Sequence, residues 1–153
     1  MEKFGKSQSV KRVEDLRFLT GEGRYVDDIA PKGALRGFVV RSNVAHGTIE
    51  TLDVTEARDS DGVHLVLTLA ELEAAGLRVG MDATVVANRD GTKGAAPERP
   101  ILARGRVRFV GEAIAFIVAD TIAQAKDAAE MIDIEIDDLD AHVALSPGGA
   151  QLH

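Results

Sequence analysis

The sequence contains no cysteine, no long apolar run and no excess of basic residues. The absence of cysteine excludes disulfide bonds, thiol chemistry and cysteine-ligated iron–sulfur clusters within these 153 residues. A membrane-spanning helix needs about 20 apolar residues, and no such run exists; the first residues also lack the apolar region of a signal peptide. We therefore expect a cytoplasmic protein, with any redox centre located outside this sequence.

Charge narrows the range of partners further. The chain carries 25 acidic and 18 basic residues, which gives a net charge of −7. Nucleic acids and anionic membranes both require a basic face, so we expect neither as a partner. Basic residues concentrate in the first forty positions and acidic residues in 120–140; two solvated faces are the simpler explanation, and docking is the alternative. The hydrophobic content of 45% suits one compact domain.

Periodicity in the first half predicts short helices and strands. A helix is expected at 13–19, and strands at 35–41, 47–54 and 63–69, the last of them apolar enough to be covered on both faces. Asp53 and Glu56 have the spacing of a helix cap. Thr68 and Glu71 have the same spacing, and Gly76 is placed to end the helix that they would start.

The second half begins with a long loop. Residues 77–100 lack periodicity apart from an apolar patch at 83–87, which predicts either a functional loop or a mobile surface loop. Strands at 106–110 and 113–119 are expected to form a hairpin through a type II′ turn at Gly111-Glu112, with the second strand central and covered by helices.

A helix and a strand follow this hairpin. Thr121 and Gln124 have capping spacing, and the residues predicted to share the buried helix face are Ile122, Ala125, Ala129 and Ile132. Isoleucines at 132, 134 and 136 then alternate with acidic residues, which predicts a strand with one buried face and one wet face.

Two segments could suggest a ligand site. Gly21 to Val26 is superficially similar to a dinucleotide-binding glycine loop, but no strand precedes it and Val26 occupies the third glycine position. Asp27 and Asp28 lack the further ligands of a calcium loop, so turn or capping roles are favoured.

Candidate acid–base residues are scattered. The four histidines are too widely separated to predict a zinc site; they are His46, His64, His142 and His153. His46 is better interpreted as a hydrogen-bonded structural residue than as a base. Glu112 would act as a general base only if a pocket enclosed it, and a turn role is preferred. No catalytic or metal-binding set is predicted.

Three ordered blocks carry a family resemblance: RVEDLRFLTGEGRYVDDI (12–29), FVVRSNVAHGTIETLDVTEA (38–57) and RPILARGRVRFVGEAIAFIVADTIAQAKDAAEMIDIEIDDLDA (99–141). Together they resemble the start of the large subunit of molybdenum hydroxylases, the family of xanthine dehydrogenases, aldehyde oxidases and carbon-monoxide dehydrogenases. The resemblance implies an α+β hammerhead fold, with a mixed sheet covered by a few helices. We expect an arm at 1–12, the hammerhead domain at 13–140, and at 141–153 a linker to an absent molybdopterin-binding region.

The resemblance also implies a parent oxidoreductase that acts on aldehydes, purines or carbon monoxide with water as the oxygen source. The molybdopterin cofactor would lie outside this sequence. Expected partners are the remainder of the large subunit and subunits or domains that carry 2Fe–2S clusters and FAD. No catalytic, cofactor-binding or metal-ligating residue carries over to this sequence. Ser42, Asn43, Val44 and Gly47 depart from the commoner versions of this segment, which leaves the subfamily and hence the substrate open.

The resemblance implies that this chain is a structural and docking domain that is not catalytic alone. The residues expected to form its partner-facing surface are Arg24, Phe109, Gly111 and Glu112. The alternative is a free-standing small-ligand-binding or regulatory module with the same fold, which fold alone does not exclude.

Overall fold

The structure is a computed structural model that describes residues 11–81, 86–94 and 96–148. The chain divides into two compact units, Met1–Ala34 and Leu35–His153. The helices are α1 (Asp15–Leu19), α2 (Thr55–Asp59), α3 (Leu69–Ala74) and α4 (Ile122–Glu130). The strands are β1 (Arg36–Arg41), β2 (Gly47–Asp53), β3 (Val63–Leu67), β4 (Gly80–Met81), β5 (Arg99–Pro100), β6 (Arg106–Val107), β7 (Ala113–Ala119) and β8 (Asp133–Asp138).

The first unit is held by local contacts. The rings of Phe18 and Tyr25 stack with centroids 5.4 Å apart, and the guanidinium of Arg17 lies 5.2 Å from the centroid of the Phe18 ring. The helix predicted at 13–19 is confirmed as α1, but no described residue of this unit is buried. Besides the Phe18–Tyr25 ring pair, its exposed large apolar residues among those described are Val13, Leu16, Leu19, Val26 and Ile29.

The described part of the second unit contains three antiparallel sheets. Their strand orders are β1-β7-β3, β6-β2-β8 and β4-β5. The α+β fold class is confirmed, with antiparallel sheets in place of the expected mixed sheet, since every pairing between described strands is antiparallel. Among the helices in the described part of the chain, none has the length and apolar character needed to cross a bilayer.

The first sheet packs against α4. Strand β7 is central, as predicted, and Ala115, Ile117 and Ala119 are fully buried beside Ala125 and Ala128 of the helix. Small residues on α4 let the helix lie close to the sheet. The buried face of α4 is rotated slightly from the predicted one: Ala128 rather than Ala129 is fully buried, and Ile122 is 46% exposed.

The second sheet covers a separate cluster. Val107 and Ile114 are buried there, with Ile49, Ile134 and Ile136 packed against them. Strand β8 has alternating burial, so the prediction from the isoleucine–acid alternation is confirmed.

The expected hairpin between β6 and β7 was wrong. Strand β6 pairs with β2, whereas β7 pairs with β1 and β3. The backbone of Ser42 provides the physical reason: its N–H donates to the Glu112 carbonyl (2.9 Å), and its carbonyl accepts from the Gly111 N–H (2.8 Å). The backbone groups of Gly111 and Glu112 are therefore paired with the chain that follows β1. The Ala113 carbonyl, which would begin a hairpin ladder, accepts instead from the Ala103 N–H at 2.7 Å.

The turn type was also wrong. The Glu112 N–H donates to the Phe109 carbonyl at 3.2 Å, so Gly111, with φ of 90°, occupies the third position of the turn. A positive φ at that position defines a type II turn, whereas a type II′ turn needs it at the second position.

Two predictions near α2 and β3 need correction. Asp53 does not form a reciprocal cap with Glu56, because its Oδ1 accepts hydrogen bonds from the Thr55 N–H (2.9 Å) and hydroxyl (2.6 Å). Strand β3 is not covered on both faces. It lies at the edge of its sheet, where His64 and Leu65 are exposed.

The helix signals around α3 were correct. The reciprocal capping bonds between Thr68 and Glu71 are present, and the Glu71 carboxylate accepts from the Thr68 N–H at 2.7 Å. Gly76 follows the helix with φ of 73°, the left-handed conformation expected of a glycine that ends a helix.

The predicted loop at 77–100 has its own pairing. Strands β4 and β5 join its two ends, and Ala87 bridges to Lys93 farther out. Most of the apolar patch at 83–87 lies outside the described residues.

Candidate functional site

Residues 108–112 connect β6 to β7 and form what we call the 108–112 ridge. The type II turn and the two backbone hydrogen bonds with Ser42 fix its path. Arg41 adds a third anchor, since its Nη1 donates to the Gly111 carbonyl at 2.8 Å. The ridge is therefore a rigid part of the surface, fixed by a strand end some 70 positions earlier in the chain.

Glu112 stabilises the ridge from beneath. Its side chain is buried, one carboxylate oxygen accepts from the Arg108 N–H at 2.5 Å, and the other lies 3.7 Å from the Arg108 guanidinium. A buried carboxylate needs such donors, because burial without them is unfavourable. This geometry supports the turn role that the sequence favoured for Glu112. It gives no support to a role as general base.

Apolar side chains form the crest of the ridge. Phe109 is 57% exposed and Val110 is 64% exposed. A cavity of about 320 Å³ lies on one side of Phe109, lined by residues that include His46, Asp140 and Val143. A second cavity of about 430 Å³ also borders Phe109, and it is lined by residues that include Arg41 and Arg99.

His46 is a buried residue at the first cavity. Its Nδ1 lies 2.8 Å from the carbonyl oxygen of Asp140. A carbonyl only accepts hydrogen bonds, so Nδ1 carries a hydrogen, and the Nε2 of the neutral ring is then an acceptor. Nε2 is buried and has no hydrogen-bond partner in the described part of the chain. The sequence interpretation of His46 as a hydrogen-bonded residue is confirmed; its unsatisfied nitrogen was not foreseen.

Gly47 is a site residue that sequence reasoning missed. A Cβ at this position would lie 2.5 Å from Ile136 Cγ2 and 2.7 Å from the Asp137 carbonyl oxygen. Only glycine allows β2 and β8 to approach this closely next to His46. The departure from commoner family sequences at this position was visible, but its packing role was not.

Other candidate residues have structural partners. The Asp28 carboxylate accepts from the Tyr25 N–H at 2.8 Å, which is the capping role favoured from sequence. His64 pairs with Asp120 at 2.8 Å, and a ring nitrogen of His142 lies 2.9 Å from the Ser146 carbonyl. His153 lies outside the described residues. Within the described ranges, no group of three or more histidine, aspartate or glutamate residues could hold a metal ion.

The glycine segment in the first unit does not offer a phosphate cradle. It follows α1 rather than a strand, and a Cβ at Gly23 would overlap the Phe18 ring, so this glycine accommodates an aromatic ring. Arg24 of the same segment is exposed. These residues, and a sequence without cysteine, do not fit a pterin dinucleotide or an iron–sulfur cluster.

Fold and site together define an α+β domain with an exposed apolar ridge between two cavities. The model of the aldehyde oxidase and xanthine dehydrogenase a/b hammerhead domain matches residues 20–140. The chain is 39% identical over 138 residues to the nicotine 6-hydroxylase large subunit of Paenarthrobacter nicotinovorans, which covers 90% of this chain and 16% of that protein. It is 36% identical over 129 residues to the carbon monoxide dehydrogenase large chain of Afipia carboxidovorans, covering 84% and 15% respectively.

A solved structure agrees with these sequence relatives. Quinoline 2-oxidoreductase from Pseudomonas putida 86 superposes with a TM-score of 0.72 at 39% identity, over 86% of this chain and 16% of that one. The chain therefore belongs to the aldehyde oxidase and xanthine dehydrogenase family, a family of molybdenum-dependent hydroxylases, and residues 20–140 are its hammerhead domain. It spans about 16% of the length of the large subunits that it matches.

Proposed function

We propose that this chain is the docking domain of the large subunit of a molybdenum hydroxylase and has no catalytic activity alone. The observation that carries this proposal is the family match over 20–140 in a chain that spans 16% of its relatives. The parent protein would be an oxidoreductase acting on aldehydes, purines or carbon monoxide, with water as the oxygen source.

The chemistry of the ridge supports a docking role. Its carboxylate, Glu112, is engaged by Arg108, and the nearby His46 is tied to the Asp140 carbonyl. On the crest of the ridge, the side chains exposed to another molecule are the apolar ones of Phe109 and Val110. Such a surface suits contact with a protein better than proton transfer to a substrate.

The proposal assigns partner-facing roles to Arg24 in the first unit and, separately, to Phe109 and Gly111 in the second, where Glu112 keeps the ridge in place. It assigns residues 1–12 to an arm, 13–140 to the domain, and 141–153 to a linker. The remainder of the large subunit would follow and hold the molybdopterin cofactor. Partner subunits or domains would carry 2Fe–2S clusters and FAD.

Metal analysis of two proteins tests the proposal. One is the 153-residue chain, and the other is the product of the complete reading frame, purified with its partner subunits. We expect molybdenum and substrate oxidation in the second and neither in the first. Stoichiometric molybdenum in the purified chain would contradict the proposal. A reading frame that stops after His153 would favour the free-standing ligand-binding or regulatory module instead.

A further inference from the structure

The second cavity beside the ridge has a distinctive charge pattern, and we call it the arginine groove. It measures about 430 Å³, and the lining residues that matter here are Arg41, Glu98, Arg99, Ile101, Arg108 and Glu112. Three guanidinium groups therefore line one groove of a protein whose net charge is −7.

The two carboxylates of the groove already have cationic partners. Glu112 lies against Arg108, as described above. Glu98 accepts a hydrogen bond at 3.2 Å from Arg104, which also pairs with Glu73 at 2.8 Å. Neither carboxylate is left to neutralise Arg41 or Arg99.

Among the described residues, the guanidinium groups of Arg41 and Arg99 thus have no anionic partner. Arg41 is held in position by a neutral acceptor, the Gly111 carbonyl. Arg99 is exposed, and its guanidinium has no hydrogen-bond or ion-pair partner among the described residues. Planar guanidinium groups bind carboxylates through paired, charge-assisted hydrogen bonds, so this groove is suited to a carboxylate.

Apolar surface accompanies this charge. Ile101 is 65% exposed and Phe109 is 57% exposed, and both line the groove. A ligand that satisfies the groove would pair an acidic group with apolar side chains. A polypeptide segment in which aspartate or glutamate stands beside apolar residues has this composition, and Arg and aromatic residues are typical of the protein surfaces that bind such segments.

We propose that the arginine groove binds an acidic, apolar segment from the remainder of the large subunit, whose carboxylate pairs with Arg99 and Arg41. This rests on the function proposed above. The assignment to the same subunit follows from length: about five sixths of each matched large subunit lies beyond the part that this chain spans. Pairing inside a covered groove would be stronger than at an open surface, because water is excluded from it.

A zero-length cross-link tests this assignment in the complete large subunit with its partners. The R99K variant places an amine in the groove, and a carbodiimide joins an amine to a carboxylate only where the two are in contact. Mass spectrometry is expected to find position 99 linked to an aspartate or glutamate that lies C-terminal to residue 153 of the same subunit. The matched control is R36K, since Arg36 is exposed at the other end of β1 and lies outside the groove.

Other outcomes overturn the proposal. A link only to Glu98 or another carboxylate of this chain, a link to a partner subunit, or no link beyond that of R36K would each contradict it. These failures are distinct from failure of the proposed function, because the same preparation is assayed for molybdenum and substrate oxidation.

A second variant gives an independent measurement. R99E is expected to increase hydroxyl-radical modification of Phe109 severalfold in the assembled subunit, because like charges would repel the acidic segment, whereas R36E should leave it unchanged. Equal modification in R99E, R36E and the unmodified protein would also overturn the proposal.

Discussion

The helix-covered sheet and the 108–112 ridge lie in the same unit. They differ in how much of their apolar surface is buried and in how completely their polar groups are hydrogen-bonded. In the sheet, Ile117 of β7 and Ala128 of α4 are fully buried within one core. At the ridge, Phe109 and Val110 are largely exposed, and the Nε2 of the neighbouring His46 is buried without a hydrogen-bond partner in the described ranges. The sheet stabilises the domain, whereas the ridge leaves apolar side chains exposed that another surface could cover.

The exposed apolar residues of the ridge are significant because the turn that carries them is rigid. Isolated exposed apolar residues are ordinary on protein surfaces. Here they stand on a turn fixed by Ser42, Arg41 and Glu112, between two cavities. A preorganised surface loses little freedom when a partner binds, so the ridge is a better docking element than a mobile loop would be.

The largest expected effect is the loss of stability caused by a substitution in the core of the helix-covered sheet. Ile117→Ala should lower the free energy of unfolding by about 3 kcal/mol, because it leaves a cavity in a fully buried position of the central strand. The control Ile122→Ala removes a side chain that is 46% exposed at the start of α4. Its effect should be several times smaller. Urea denaturation of both variants measures the difference, and equal losses would refute the assignment of the core.

The next largest effect is expected at His46, which lies beside the ridge. His46→Ala should destabilise the chain by about 1–2 kcal/mol, because it removes a buried ring and its bond to Asp140. The neutral His46 ring should carry its hydrogen on Nδ1. Imidazole nitrogen chemical shifts in an NMR spectrum report the tautomer directly. A hydrogen on Nε2 would show that the bond to the Asp140 carbonyl is absent in solution.

A smaller effect concerns the helix that covers the sheet. The Thr121 hydroxyl accepts from the Gln124 N–H at 3.2 Å at the start of α4. Thr121→Ala should reduce stability by about 1 kcal/mol, and Thr121→Ser should retain most of it. Thermal denaturation of the two variants compares them, and similar losses would argue against the cap.

The smallest effect is a pH dependence at the exposed end of β2. Hydrogen bonds from the Thr55 hydroxyl and backbone N–H lower the pKa of Asp53 below its ordinary value of 3.8. A lowered pKa means that this contribution to stability is present above the ordinary value and is lost as the pH falls through the lowered one. NMR titration of Thr55→Val should show the pKa of Asp53 rising toward 3.8. An unchanged titration would mean that the hydroxyl bond does not form.

Sequence reasoning succeeded at some short-range interactions and failed at others, since the Asp53–Glu56 cap and the turn type at Gly111 were wrong. The Thr68–Glu71 cap and the alternation along β8 involve residues within a few positions of each other, so their spacing shows them directly. The edge position of β3 could not be read in this way, because it depends on the order of strands in the sheet.

The ridge was foreseen only in part. Phe109 and Glu112 were both expected on a partner-facing surface; Phe109 is 57% exposed, whereas Glu112 is buried. The path of the ridge depends on Ser42, and the burial of His46 on Asp140, which is 94 positions away. Contacts between residues so far apart produce no periodic pattern in the sequence. The region was therefore located through the family resemblance, and its geometry came from the structure.

The exposure of Phe109 tests the central claim most directly. Its rate of hydroxyl-radical modification can be compared between the 153-residue chain and the complete large subunit assembled with its partners. A docking ridge predicts strong protection on assembly, from a ring that is 57% exposed in the chain alone. An equal rate in the two proteins would contradict the assignment of this chain as a docking domain through the 108–112 ridge.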